Sequence, residues 1–188
     1  MRILTNDPSF TAWGWAVIEI KNGATKVLRV GCLKTEPENK LRRIRKSDDT
    51  TRRIGELAHA LMSLIQEYRV SFILCESVHG SQNASAAVMM GATAGIMQTI
   101  SVAQGLPIEW YSEAEAKKTL SGKRSLTKQA TIKAIKDLYT LEWPEAKYKR
   151  EAVADAMAIF HAGMISSEIL RYHKLQEQPQ PKVFKRTK

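Results

Sequence analysis

Short apolar runs separated by turn residues fill the amino-terminal part of the chain and predict a β-meander. The runs cover residues 2–6, 14–20 and 25–33. Asp7-Pro8-Ser9 ends the first run, and Asn22-Gly23 lies between the other two. Because Asn-Gly between apolar runs is a strong hairpin signal, we expect three strands in antiparallel order.

Strands and helices alternate further along the chain. Apolar positions from Ile54 to Tyr68 recur at helical spacing, which predicts a helix capped by Thr50 or Thr51. Residues 70–75 form a compact apolar run, typical of a strand buried on both faces in a parallel pair. The pattern also predicts a strand over 107–111 and helices over 83–104, from Ser112, over 127–139 and over 150–172. This order predicts an α/β domain with three layers, in which helices cover a mixed sheet.

Length and composition predict one domain with a tail. Of 188 residues, 44% are hydrophobic, which is enough for a core over residues 1–172, whereas the Pro-, Gln- and Lys-rich segment 173–188 is expected to be disordered. We expect no apolar run to be long enough to span a bilayer, and the amino terminus turns polar too early for a secretion signal. Cys32 and Cys75 lack paired spacing, which indicates free thiols in a reducing compartment. We therefore expect a cytoplasmic protein without a membrane partner.

The net charge of +10 is concentrated in three segments. Residues 40–53 and 170–188 carry +5 each and residues 117–136 carry +7, so the rest of the chain sums to −7. A basic surface around an acidic centre favours a nucleic-acid partner. Solvated helix faces would explain any one of these segments equally well.

Carboxylates are the chemical groups that the pattern places together. The chain lacks phosphate-binding glycine loops, and its histidines lack metal-ligand spacing. Asp7 and Glu76 end two strands that we expect to be parallel neighbours, so both side chains emerge at one sheet edge. Glu151 and Asp155 lie four residues apart and share a helix face. Such like charges repel unless a cation joins them, and oxygen ligands favour Mg²⁺ or Mn²⁺, which can drive phosphodiester hydrolysis.

Structural roles remain open for single members of this set. Asp7 precedes Pro8 and has the residue type of an ordinary turn. Glu151 follows several basic residues and could be an exposed ion-pair partner. The combination is more specific than any one residue.

Several motifs, in order over residues 2–165, resemble one family. They include Asp7-Pro8-Ser9 with Trp13-Gly14-Trp15, Glu76-Ser77-Val78 followed by Asn83-Ala84, Lys117-Lys118-Thr119, and Ala154-Asp155-Ala156-Met157-Ala158-Ile159. This set is similar to the motifs of the RuvC Holliday junction resolvases. The resemblance implies an RNase H-like fold, with a five-stranded mixed sheet whose first three strands are antiparallel. It also implies a homodimer that cuts four-way DNA junctions in recombination and repair, with Mg²⁺ as cofactor and Mn²⁺ as a substitute.

The resemblance also implies roles for individual residues. Asp7, Glu76 and Asp155 would be catalytic metal ligands. The family commonly has an acid or His at the position of Ala152, and Glu151 is the expected substitute as a catalytic ligand. Lys118 and Lys128 would stabilise charge at the scissile phosphate, with Lys117 as the alternative to Lys118. Expected DNA contacts are His79, at the position of a family aromatic, and Lys117, Lys123 and Arg124.

Some residues and functions lie beyond these motifs. Arg42, Arg43 and Arg45 belong to a basic run that is either a further DNA contact or a solvated segment. A flap or fork endonuclease on the same fold, or a non-catalytic nucleic-acid-binding module, remains an alternative function. The source would be a bacterial cell, or a bacterial virus acting in its host's cytoplasm.

Overall fold

A mixed five-stranded sheet forms the centre of the fold. The computed structural model describes residues 1–38, 44–79 and 81–177. The strands are β1 (Arg2–Asp7), β2 (Ala12–Lys21), β3 (Ala24–Lys34), β4 (Phe72–Glu76) and β5 (Ile108–Tyr111). In spatial order β3-β2-β1-β4-β5, the first three strands pair antiparallel, while β4 joins β1 and β5 joins β4 in parallel. The predicted mixed sheet is thereby confirmed.

The tight turn between β2 and β3 confirms the predicted hairpin. Asn22 and Gly23 both have positive φ, at 53° and 74°, as a two-residue hairpin loop requires. Lys21 pairs with Ala24 directly across this turn.

Helices cover both faces of the sheet and complete the three layers. The helices are α1 (Lys46–Tyr68), α2 (Ala84–Gln104), α3 (Glu113–Ser121), α4 (Lys128–Leu138), α5 (Lys147–Ser166) and α6 (Glu168–Glu177). One buried cluster joins the sheet to α1 and α2, and the other joins it to α3, α4, α5 and α6. Cys75 is buried, Cys32 is partly buried, and both are free thiols.

The first helix begins earlier than predicted. It begins at Lys46 and not after Thr50 or Thr51. Both threonine hydroxyls donate back to the preceding turn, to the carbonyls of Lys46 (2.9 Å) and Ser47 (3.0 Å). They therefore act as residues of the helix interior and not as caps.

The single helix predicted over 150–172 is wrong, because the chain bends by 63° between α5 and α6. Ser167 lies at the bend, where its hydroxyl accepts from the Leu170 amide (3.1 Å) and donates to the Glu109 carboxylate (3.0 Å). A serine that caps the following helix ends the preceding one. Helix α6 continues into the segment predicted as a tail, and residues 178–188 lie outside the described residues.

Alternation along β1 sorts its side chains between the two layers. Ile3 packs in the cluster with α5, and Leu4 packs in the cluster with α1 and α2. Thr5 again faces α5, since its hydroxyl donates to the carbonyl of Ala156 (2.7 Å). Because successive side chains alternate, Asp7 also lies on the α5 face.

Asn6, a buried polar residue next to Asp7, fixes the end of β1. Its amide donates to the carbonyls of Leu4 and Leu74, both at 3.3 Å. Its carbonyl oxygen accepts from the indole N–H of Trp13 (3.2 Å). Asn6 therefore ties β1 to both of its neighbouring strands through a largely satisfied polar network.

Helix α2 has one buried and one exposed side. Thr93, Ile96, Met97 and Ile100 are buried. By length and composition alone α2 could cross a membrane, so the expectation that no segment is apolar enough was wrong. In the fold, the apolar residues of α2 lie partly in the core and partly on an exposed stripe. The residues of this stripe follow one another at alternating spacings of four and three, and they are Ala84, Val88, Gly91, Gly95, Gln98 and Val102.

Helix α5 lies directly on the backbone of β2 at Gly14. A Cβ atom built on Gly14 would overlap the carbonyl group of Ala152. Gly14 is also the residue paired with Asp7 across β1 and β2. The absence of a side chain at Gly14 therefore sets the distance between α5 and the strand end that carries Asp7.

We expect Gly14→Ala to destabilise the domain by about 1–3 kcal/mol, because the methyl group forces the backbone of α5 away from the sheet. The measurement is the free energy of unfolding from urea titrations. Gly55→Ala is the matched control, since Gly55 is exposed in α1 with open space around it; it should stabilise by roughly 0.5–1 kcal/mol. Equal stability of Gly14→Ala and the parent protein would contradict the close contact.

Candidate active site

Asp7 and Glu76 end two adjacent parallel strands on the same face of the sheet. Asn6 pairs with Cys75, so the next residues along β1 and β4 are Asp7 and Glu76. Leu74, two residues before Glu76, packs in the cluster that contains α5. Alternation therefore directs both carboxylates towards α5, as the sequence predicted.

Asp155 approaches the same edge from α5. It is only 7% exposed, and its carboxylate contacts the ammonium group of Lys128. Lys128 is the first residue of α4, whose start is capped by the hydroxyl of Thr127 accepting from the Ala130 amide (3.3 Å). A capped helix start thus places this lysine against the buried carboxylate.

Burial and mutual repulsion make this site costly to ionise. Burial, and then the charge of Asp155, raise the pKa of Asp7 to about 7, although Lys128 opposes the shift. Burial, and then the charges of Asp7 and Glu113, raise the pKa of Glu76 to about 8. Both carboxyl groups therefore keep their protons to a higher pH than ordinary carboxyl groups do, unless positive charge compensates them.

Lys128 supplies part of that positive charge. Burial raises the pKa of Asp155, while the hydrogen bond from Lys128 and its charge act in the opposite direction. Burial alone would lower the pKa of Lys128, but the hydrogen bond to Asp155 and the charges of Asp155 and Asp7 raise it overall. Lys128 therefore stays protonated inside the site.

Glu113 is a further acidic residue at this edge, and the sequence analysis did not single it out. Its charge raises the pKa of Asp7, Glu76 and Asp155. It begins α3 just after β5, where Tyr111 pairs with Glu76. The sequence signal that could have identified Glu113 is its place directly after β5, the strand that pairs with β4.

The structure does not group Glu151 with these carboxylates. Glu151 lies in the first turns of α5, and its carboxylate is 3.9 Å from the ammonium group of Lys147. The acidic residues that raise the pKa of Asp7 are Asp155 and Glu113. The ligand role of Glu151 stays a prediction.

Lys117, and not Lys118, is the α3 lysine beside the acidic site. Lys117 is mostly buried, with its side chain 13% exposed, and its charge acts on Asp155. Lys118 is exposed. The catalytic assignment predicted for Lys118 therefore fits Lys117 better.

The other predicted DNA contacts that lie within the described residues are exposed. Lys123 and Arg124 are exposed between α3 and α4, and His79 is exposed after β4. The charge of His79 lowers the pKa of Glu113, so it lies within electrostatic reach of the site. Arg45 is exposed and pairs with Asp48 (2.8 Å) at the start of α1. The predicted contacts at Arg42 and Arg43 lie outside the described residues.

The donor set suits a hard divalent cation. Within residues 1–38, 44–79 and 81–177, no three His, Cys, Asp or Glu side chains converge closely enough to hold a metal ion as they stand. Asp155 instead contacts Lys128. Two carboxyl groups with raised pKa values and a third held by a lysine are nevertheless all-oxygen donors in need of positive charge. The residues therefore fit an oxygen-liganded metal such as Mg²⁺.

Known structures share this fold. A Thermus thermophilus RuvC in complex with a Holliday junction substrate superposes with a TM-score of 0.70 at 18% identity, covering 94% of this chain and 97% of that one. The yeast mitochondrial Holliday junction resolvase Ydc2 superposes with a TM-score of 0.61 at 13% identity, covering 94% and 84%. The fold class is thus RNase H-like.

Sequence comparison then identifies the family. The family model of the crossover junction endodeoxyribonuclease RuvC matches residues 3–162, so the chain belongs to the RuvC family. The RuvC of Caldicellulosiruptor saccharolyticus is 28% identical over 93% of this chain and 98% of that protein. The RuvC of Corynebacterium diphtheriae is 27% identical over 90% and 98%. Nucleases of this family are metal-dependent.

The raised pKa values predict how metal-free stability depends on pH. Asp7 and Glu76 bind protons more tightly in the folded state than in the unfolded state. Their protonation therefore contributes fully to the free energy of unfolding below about pH 4, and this contribution is lost as the pH rises through about 7–8. We therefore expect Asp7→Asn to raise the melting temperature of the metal-free protein at pH 8.5 and to have little effect at pH 4.5. Differential scanning fluorimetry measures both.

The same experiment with added Mg²⁺ tests the metal site. Mg²⁺ should raise the melting temperature of the parent protein at pH 8.5 and raise that of Asp7→Asn less. Asp137→Asn, an exposed carboxylate in α4, is the control and should behave as the parent protein does. If the melting temperature of the parent protein changed with neither pH nor Mg²⁺, the proposed metal site would be contradicted.

Proposed function

We propose that this chain is a structure-selective endonuclease that binds four-way DNA junctions as a homodimer. It resolves them by paired, metal-dependent hydrolysis of phosphodiester bonds, leaving 5′-phosphate and 3′-hydroxyl ends. The observation that carries the proposal is the meeting of Asp7, Glu76 and Asp155 at one sheet edge, in a chain of the RuvC family. The RuvC structure bound to a Holliday junction substrate supports the choice of DNA.

Mg²⁺ is the proposed cofactor, and Mn²⁺ should replace it. Asp7, Glu76 and Asp155 would hold the metal, which supplies Lewis acidity for the attacking water and the leaving oxygen. The three carboxylates come from two strands and a packed helix, so their relative positions are rigid. Lys128 contacts Asp155, and with Asp155 holding a metal its ammonium group would be available to donate to a phosphate oxygen.

The lysines beside the carboxylates support phosphoryl transfer. Lys128 and Lys117 both act electrostatically on Asp155, so both lie near the proposed scissile phosphate. Preorganised positive groups stabilise the charge that develops on the phosphate oxygens. Lys123 and Arg124, exposed between α3 and α4, and His79, exposed after β4, are proposed to contact the DNA backbone, with Arg45 as a further contact.

The exposed stripe of α2, defined above, is the proposed dimer surface. Val88 is 63% exposed and Val102 is 73% exposed, which is unusual for large apolar side chains. Cβ atoms added at Gly91 and Gly95 would meet no atom within 4 Å, so a partner helix could approach closely. A two-fold dimer presents two active sites, which matches the pseudo-symmetry of a four-way junction.

A soluble nuclease with this substrate acts in the cytoplasm.

We expect Asp7→Asn and Glu76→Gln each to slow cleavage by roughly 10³-fold or more while binding junctions nearly as well as the parent, because each removes a metal ligand but no DNA contact. Single-turnover cleavage of a synthetic four-way junction in Mg²⁺ and Mn²⁺, with anisotropy for binding, measures both effects. Asp137→Asn is the control. Either site variant cutting at the parent's rate would end this assignment.

Parallel assays on flap, fork and linear duplex DNA distinguish the alternatives. Faster cleavage of flaps or forks would favour an endonuclease of that selectivity. Tight, salt-sensitive binding without cleavage in any divalent metal would favour a binding module.

We expect Val88→Asp to dissociate the dimer, because it places a charge in the apolar stripe at the proposed interface. Sedimentation velocity over a concentration series measures the mass. Leu138→Asp is the matched control, since Leu138 is 51% exposed on α4, away from the stripe. A Val88→Asp protein that remains dimeric would exclude this face of α2.

A further inference from the structure

Lys117 is held in an unusual way for a surface lysine. Its side chain is 13% exposed, compared with 51% for Lys128, and its ammonium group contacts the carboxylate of Glu113. Free lysine side chains lose considerable rotamer entropy when they are fixed. A partner that fixes Lys117 in advance therefore lowers the entropy cost that remains when the Lys117 ammonium group binds a phosphate.

The start of α3 is rigid, so Glu113 has a defined position. Ser112 and Glu115 form a capping box, in which the Ser112 amide donates to the Glu115 carboxylate (2.7 Å) and the Glu115 amide donates to the Ser112 hydroxyl (3.2 Å). Ala116 is 2% exposed and packs in the cluster with α5. The first turn of α3 is thereby fixed to both the sheet and α5.

Glu113 and Lys117 are one helical turn apart, in the favourable order for an ion pair. An exposed pair of this kind contributes little to stability, typically below 1 kcal/mol. This pair differs in its surroundings, because Glu113 acts on Asp7, Glu76 and Asp155, and Lys117 acts on Asp155. The pair therefore borders the acidic site, with the Lys117 side chain mostly buried and the Glu113 side chain 48% exposed.

We infer that Glu113 is a positioning residue that holds the ammonium group of Lys117 beside Asp155, ready to meet a DNA phosphate. The inference rests on the proposed nuclease function. It has a physical parallel in protein kinases, where a lysine must be paired with a helical glutamate before it can act on phosphates. Glu113 itself touches neither DNA nor the reacting atoms, and its effect is transmitted through Lys117.

A double-mutant cycle tests the coupling. Glu113→Gln keeps the shape of the side chain but removes its charge, and we expect it to slow single-turnover junction cleavage about 10-fold. Lys117→Met should slow cleavage at least as much, and the double variant should match Lys117→Met alone. Such non-additivity is the signature of a residue that acts through its partner.

Metal-free junction binding gives a second readout that does not depend on cleavage. Anisotropy titrations over a salt series should show a shallower salt dependence for Lys117→Met, by about one unit of slope. Adding Glu113→Gln to that variant should then change nothing further. Glu168→Gln is the control, because it breaks the Arg171–Glu168 pair (3.7 Å) on α6 and should alter neither readout.

The outcomes separate this inference from the proposed function. If the parent protein cuts junctions and Glu113→Gln cuts equally fast, or if the two single effects multiply, the positioning role is overturned while the nuclease stands. If the parent does not cut, the nuclease proposal fails and the binding cycle still tests the pair. Should Glu113→Gln unfold at a lower temperature, Glu113→Asp replaces it in the cycle, since it keeps the charge and shortens its reach.

Discussion

Negative charge at the carboxyl ends of β1 and β4 is the constraint on which the surrounding structure depends. Asp7 and Glu76 end neighbouring parallel strands, so the sheet itself brings two like charges together. Asp155 adds a third from α5. Ionising such a group out of water is unfavourable, and each raised pKa value reflects that cost.

Neighbouring elements compensate for this charge in different ways. Helix α4 brings Lys128 into contact with Asp155, and α3 brings Lys117 within electrostatic reach of it. Glu113 adds another negative charge but is paired with Lys117. The compensation is incomplete, which leaves the site with an affinity for further positive charge. A site that is partly neutral before its cation binds avoids the full destabilisation of four unpaired carboxylates.

Much of the fold was readable from the sequence because its signals are local. Alternating apolar runs and Asn22-Gly23 predicted the meander, and the compact run before Glu76 predicted a buried parallel strand. The confirmed placement of Asp7 beside Glu76 followed from topology alone. The bend at Ser167 was missed, because a serine cap inside a continuous helical pattern is a weak local signal and the second partner of its hydroxyl, Glu109, lies 58 residues away in the chain.

The site was less predictable where it depends on helix phase and tertiary contacts. Choosing between Lys117 and Lys118 requires the rotation of α3 about its axis, which the packing of Ala116 sets. Glu113 has the residue type of an ordinary first-turn acid, and only the adjacency of β5 to β4 reveals its role. Asn6 interrupts an apolar run, and its partner Trp13 becomes apparent only once β1 and β2 are paired.

The contact between Gly14 and Ala152 determines how strongly the geometry of this site depends on the surrounding sequence. Helix and strand meet there backbone to backbone, beside Asp7 and one turn from Asp155. Core side chains elsewhere can be exchanged and repacked, but no rotamer sets this spacing. A separation between strand and helix that is set by backbone contact therefore stays the same when core side chains elsewhere in this chain are exchanged. The spacing of the carboxylates is carried by the polymer backbone, so it is shielded from much of the drift in the sequence around it.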